Sequence, residues 1–181
     1  MTAPRYVRSR SWGLRGAALR GYALVARTTG EEPTVRSVAV RALGLASEEA
    51  RPYVDDILVA LGDAEDDLRW DAAVALDNIP VAEEAVPALC VRTVHDRSVD
   101  VRIASARALR HYRRRDVAEA LVDALGDSDF AVRLQAHRSL VEITGRDHGP
   151  DPSDWAPVAR EMPAPQETTS APRRAPGGPR G

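Results

Sequence analysis

Four blocks of this chain can be laid over one another, and that self-similarity constrains its fold more than any other feature. The segments VRSVAVRAL from Val35, LRWDAAVAL from Leu68, VRIASARAL from Val101 and VRLQAHRSL from Val132 recur at spacings of 33, 33 and 31 residues. Each opens with an aliphatic residue and an arginine: Arg36, Arg69, Arg102 and Arg133. A small residue follows four places after the aliphatic one (Ala39, Ala72, Ser105, Ala136), another after seven (Ala42, Ala75, Ala108, Ser139), and leucine after eight (Leu43, Leu76, Leu109, Leu140). These positions share one stripe of an α-helix, and small residues on the stripe let a neighbouring helix come close.

A second helix is predicted before each of the last three blocks. Ile57, Cys90 and Leu121 share one aligned position, Leu58, Val91 and Val122 the next, and Leu61, Val94 and Leu125 another, again giving one apolar face. Neither helix of a unit can bury its stripe alone, so the units must stack side by side. Cys90 stands where the other units carry Ile and Leu, which makes it a buried small hydrophobe and not a reactive thiol. Between the two helices, six residues before the arginine, lie Asp63, Asp96 and Asp127; the first unit has Gly30 there.

Composition fits this reading and removes other classes. All 25 positive side chains are arginine, so neither Schiff-base lysine chemistry nor a lysine-bearing phosphate loop is available. The formal net charge of −2 argues against a chain built throughout to neutralise phosphate. A single cysteine admits no internal disulfide and fits a reducing compartment, and the codon-biased, lysine-free usage suggests a bacterial source. The longest apolar run near the start, Tyr22 to Ala26, is too short for a signal peptide or a membrane span, so a cytoplasmic protein is expected. Residues 1–12 read as a disordered N-terminal arm and residues 162–181, with five prolines and three glycines, as a disordered tail.

The period near 33, the turn aspartate and the Val-Arg that opens the second helix resemble a HEAT repeat. More closely, they resemble the short bacterial HEAT-like repeats named after phycobilisome lyase subunits, whose pattern runs approximately D-x-x-x-x-V-R-x-x-A-x-x-A-L. Asp63 to Leu76, Asp96 to Leu109 and Asp127 to Leu140 carry it, and Gly30 to Leu43 less completely. The segment from Thr144 to Asp151, with Trp155 after it, resembles the closing sequence of many such proteins. The resemblance implies an all-α, armadillo/HEAT-type α-solenoid, a right-handed superhelix of about four helix-hairpin repeats at 14–46, 50–78, 83–111 and 115–143. A short capping helix at 152–161 would dock Trp155 on the open end, and the repeat domain would span 13–161. The resemblance further implies that Arg36, Arg69, Arg102 and Arg133 meet the turn aspartates Asp63, Asp96 and Asp127 as a structural ladder, with one arginine left short of a partner.

Second helices of such units line the concave surface, which makes their exposed positions the natural binding face: Arg41, Trp70, Asp77, Arg107, Arg110, His111 and Arg138. Trp70 sits at a position of mixed polarity, open both to packing between helices and to stacking on a ligand. Charge is uneven along the chain: residues 31–67 hold ten acids against three arginines, whereas residues 101–115 hold six arginines and no acid. His95, His111, His137 and His148 show no metal-ligand spacing, and no catalytic triad, nucleophile elbow or dinucleotide loop is present. No catalytic residue, metal or cofactor is therefore expected. The expected function is a monomeric, non-catalytic scaffold or adaptor that binds a protein partner on its concave face. Two alternatives stay open: nucleic-acid binding, which the acidic first half disfavours, and a lyase or maturation accessory acting on a cofactor-bearing protein.

Overall fold

The computed structural model describes residues 5–79 and 82–165. Among the described residues the secondary structure is helical, in the order α1 (Arg5–Arg27), α2 (Pro33–Ala46), α3 (Val54–Leu61), α4 (Asp66–Asn78), α5 (Val86–His95), α6 (Val99–Ala108), α7 (Arg115–Ala124), α8 (Phe130–Thr144) and α9 (Pro152–Glu161). The first eight form four hairpins, and α9 packs against α7 at the end of the stack. The second helices touch in the order α2, α4, α6, α8. The result is an α-solenoid of HEAT type.

Local chemistry sets the helix ends. Pro33 and Pro152 open α2 and α9, where a missing N–H breaks no helical bond. Asp129 caps α8 by accepting the amides of Ala131 and Val132. Gly145, at φ 76°, ends that helix in the left-handed region, where its N–H donates to the Val141 carbonyl.

The repeated stripe becomes the core. Ala39, Ala72, Ser105 and Ala136 are buried, and so are Leu43, Leu76, Leu109 and Leu140. Val35 departs from its equivalents Leu68, Val101 and Val132, which are buried, because it lies at the edge of the stack and stays half exposed. Small residues bring α2 and α4 together: a Cβ built on Gly44 would lie 2.8 Å from the Ala75 Cα.

At the other end Trp155 is fully buried, and its indole N–H donates to the Gly149 carbonyl at 2.6 Å. The rings of His137 and His148 meet it edge-on at 5.8 and 4.9 Å between centroids.

Two boundaries differ from the sequence reading. Helix α1 begins at Arg5, inside the segment 1–12 read as a disordered arm; residues 1–4 of that arm lie outside the described residues. The segment read as a tail begins inside the fold, since Met162 is buried and the Pro163 carbonyl accepts from the Arg115 amide at 2.7 Å. Residues 166–181 lie outside the described residues.

Candidate interaction surface

Each turn aspartate has two tasks, and in Asp96 and Asp127 the arginine reaches both oxygens. One oxygen accepts the amide two residues further on: Glu65 to Asp63 at 3.0 Å, Ser98 to Asp96 at 2.9 Å and Asp129 to Asp127 at 2.8 Å. This fixes the turn between the two helices. The other oxygen receives the arginine of the preceding repeat, Arg36 to Asp63 at 2.6 Å, Arg69 to Asp96 at 2.8 Å and Arg102 to Asp127 at 2.7 Å.

The same arginines also hold their own turn, through the carbonyls of Asp63 (from Arg69), Asp96 (from Arg102) and Asp127 (from Arg133). Every such arginine therefore ties its own turn to the next repeat, until the chain of repeats ends. Among the described residues, Arg133 of the last repeat has no carboxylate partner within ion-pair distance and donates to the Asp127 and Ser128 carbonyls. Despite Gly30, Arg36 reaches forward to Asp63 and donates to the Ala26 carbonyl, but its Nη2 is buried without a hydrogen-bond partner.

Burial alone would raise the carboxyls of Asp63, Asp96 and Asp127. The arginine and amide donors outweigh it, so all three sit below the usual carboxylate range. Arg69, hydrogen-bonded to Asp96 and Asp66, is held above the usual arginine value despite its burial.

A second set of charges links the second helices, and it takes in most of the expected contact residues. Arg41 on α2 donates to Asp71 on α4 at 2.7 Å. Asp77 on α4, expected as an exposed contact, is buried, because three groups from the next repeat close over it. Arg107 lies 2.9 Å away, Arg110 3.4 Å and His111 3.0 Å. The Arg107 contact is an ion pair without hydrogen-bond alignment, as its Nε has no properly directed acceptor. Arg138 on α8 is exposed and has no ion pair among the described residues.

Trp70 is 40% exposed, and it forms one wall of a cavity of about 250 Å³ between α2 and α4. The remaining wall and floor residues include Leu45, Val74, Ala75 and Asn78.

Other polar contacts were missed in the sequence although they obey its period. Tyr112 clamps Ala82, donating its hydroxyl to the carbonyl at 3.2 Å and accepting the amide at 2.9 Å. Ser139 donates to the Ala106 carbonyl at 2.8 Å, and Arg114 pairs with both Glu83 and Asp116 at 2.7 Å. Burial pushes the Cys90 thiol up to about 12, in keeping with a packing role. No group of three or more potential metal ligands occurs among the described residues, and no helix there is long and apolar enough to cross a membrane.

Residues 86–154 match the family profile of HEAT repeats, which supports reading the chain as a HEAT-like repeat protein. No curated protein matches the chain.

Proposed function

We propose that this chain is a non-catalytic interaction scaffold, acting as a monomer in the cytoplasm, that holds a segment of a partner protein on the face formed by its second helices. The observation that carries the reading is the unbroken row α2, α4, α6, α8, on which Val38, Leu45, Trp70 and Arg138 remain exposed. In HEAT-type stacks the second helices line the concave side, which is the face this reading assigns to the partner. Arg41, Asp77, Arg107, Arg110 and His111 take part as paired groups that hold the surface rigid. Trp70 and Arg138 carry direct contact, as an aromatic anchor and an unpaired guanidinium do at interfaces. HEAT repeats are commonly interaction scaffolds, which agrees with the absence of a catalytic motif in the sequence.

Nucleic-acid binding gains little from the basic stretch 101–115, where four of the six arginines, Arg102, Arg107, Arg110 and Arg114, face carboxylates. Nothing in the geometry favours a lyase accessory. A photo-crosslinking amino acid placed at the positions of Val38, Trp70 and Arg138 tests the proposal, with the positions of Val59 and Val91 on the first helices as controls. The expected result is a protein adduct from the second-helix positions alone; adducts confined to Val59 and Val91 refute the reading.

A further inference from the structure

The groove between α2 and α4 contains two neighbouring cavities, and Arg41 lines both. One, of about 250 Å³, is walled by Leu45 and Trp70 and floored where Gly44 meets Ala75. That volume lies below the range of about 300–1,000 Å³ usual for small-molecule pockets and suits a single apolar side chain. Its walls are uncovered, since Leu45 is 85% exposed.

The other cavity, of about 380 Å³, is lined by Val38, Leu68, Glu65 and Asp67. Neither Glu65 nor Asp67 has an ion pair within 4 Å among the described residues, although Asp67 lies in the field of Arg41, so two exposed carboxylates flank an exposed valine. Between the cavities Asp71 is almost wholly buried. Its Oδ1 accepts from Arg41, and its Oδ2 accepts nothing.

We infer that this groove docks an extended peptide segment that carries one apolar side chain and, three residues away, one basic side chain. The inference rests on the scaffold reading above and names the partner chemistry for one half of that face. The apolar side chain enters between Leu45 and Trp70. The basic one reaches Glu65 and Asp67, with the peptide backbone passing over Arg41, which lines both cavities.

The spacing follows from helix geometry. Gly44 and Ser37, one in each cavity lining, are seven residues apart on α2. At about 1.5 Å per residue this is roughly 10 Å, which an extended chain covers in about three residues. Complementary charge selects a basic partner, because the second cavity is lined by two carboxylates, Glu65 and Asp67, against one arginine, Arg41, which is itself paired with Asp71.

The test is fluorescence anisotropy of the full chain with labelled Ala/Gly peptides that carry one Leu and one Arg at separations from one to six residues. The expected result is tightest binding at a separation of three, weakened roughly tenfold by Trp70→Ala and again by the pair Glu65→Gln and Asp67→Asn. Binding should also fall as salt rises. All three substitutions are at exposed or half-exposed positions, and unchanged melting temperatures confirm folded variants.

Affinity independent of the separation, or unaffected by these substitutions, overturns the inference. Tighter peptide binding to the full chain carrying Arg173→Ala and Arg174→Ala overturns it as well, by making the chain's own C-terminal segment the occupant. If peptides fail while partner adducts persist at Arg138, the groove assignment falls alone. If adducts are absent along the second helices, the scaffold reading falls with it.

Discussion

Replacing Asp96 with alanine removes the most heavily used carboxylate of the ladder. Asp96 accepts both Nε and Nη2 of Arg69 at 2.8 Å, Nη1 of Arg92 at 3.3 Å and the Ser98 amide at 2.9 Å. Its side chain has no solvent exposure, and that of Arg69 has 4%. Removing one partner of such a pair typically costs about 3–5 kcal/mol, because the other charge stays buried. Arg69 keeps three acceptors, the Asp66 carboxylate and the carbonyls of Asp63 and Ala64. The loss therefore belongs at the lower end, about 3 kcal/mol. For a chain of this size each kcal/mol moves Tm by roughly 2–4 °C, so Asp96→Ala should lower it by about 6–12 °C in thermal unfolding followed by circular dichroism. Asp66→Ala removes an exposed partner of the same arginine and should shift Tm far less. The double variant Arg69→Met with Asp96→Leu should recover part of the loss, since no unpaired charge remains. A shift below about 2 °C for Asp96→Ala would refute the view that the ladder holds adjacent repeats together.

Three further outcomes can be checked in the same way. Gly44→Ala should destabilise by about 1–3 kcal/mol, because the new methyl meets Ala75 backbone at 2.8 Å, whereas Gly21→Ala, with nothing within 4 Å, should stabilise α1 by about 0.5–1 kcal/mol; urea midpoints separate the two. Trp155→Ala should cost about 3–5 kcal/mol and raise proteolysis near the end of the stack, since it empties the site between His137, His148 and the Gly149 carbonyl. Lowering pH should unfold the chain through Asp63, Asp96 and Asp127, whose folded carboxyls lie below their unfolded values. Their contribution is complete above the unfolded value of about 3.9 and disappears as pH falls through the folded values, so urea midpoints should be flat from about pH 7 to 5 and drop below about 4. The triple Asp→Asn variant should show a shallower drop.

The fold was legible because its information is periodic. Leu43, Leu76, Leu109 and Leu140 hold one register, and one register suffices to place a helix face. The pairing of Arg36 with Asp63, 27 residues on, was visible only as a fixed offset within a unit; its direction across units needs the stack itself. The same limit explains the expected contact residues. Arg107, Arg110 and His111 read as a basic patch because Asp77, which they close over, lies 30 to 34 residues earlier and is the only acid at its register among the four repeats. Trp70 shows no periodic counterpart either, so only the structure shows that it walls a cavity opposite Leu45.

The polar contacts between repeats share a consequence for function. Arg69 to Asp96, Arg41 to Asp71, Tyr112 to Ala82 and Ser139 to Ala106 span 27, 30, 30 and 33 residues, each about one repeat. Stability is then a sum of nearest-neighbour terms, and among the described residues no hydrogen bond or ion pair couples the first repeat directly to the last. A partner that spans several second helices would bridge units otherwise joined only in sequence. Its binding should therefore stiffen the stack as a whole, where a peptide confined to α2 and α4 protects the first two repeats most, α6 less and α8 least. Hydrogen exchange distinguishes the two: protection of α8 equal to that of α4 on binding of the peptide would refute nearest-neighbour coupling in this chain.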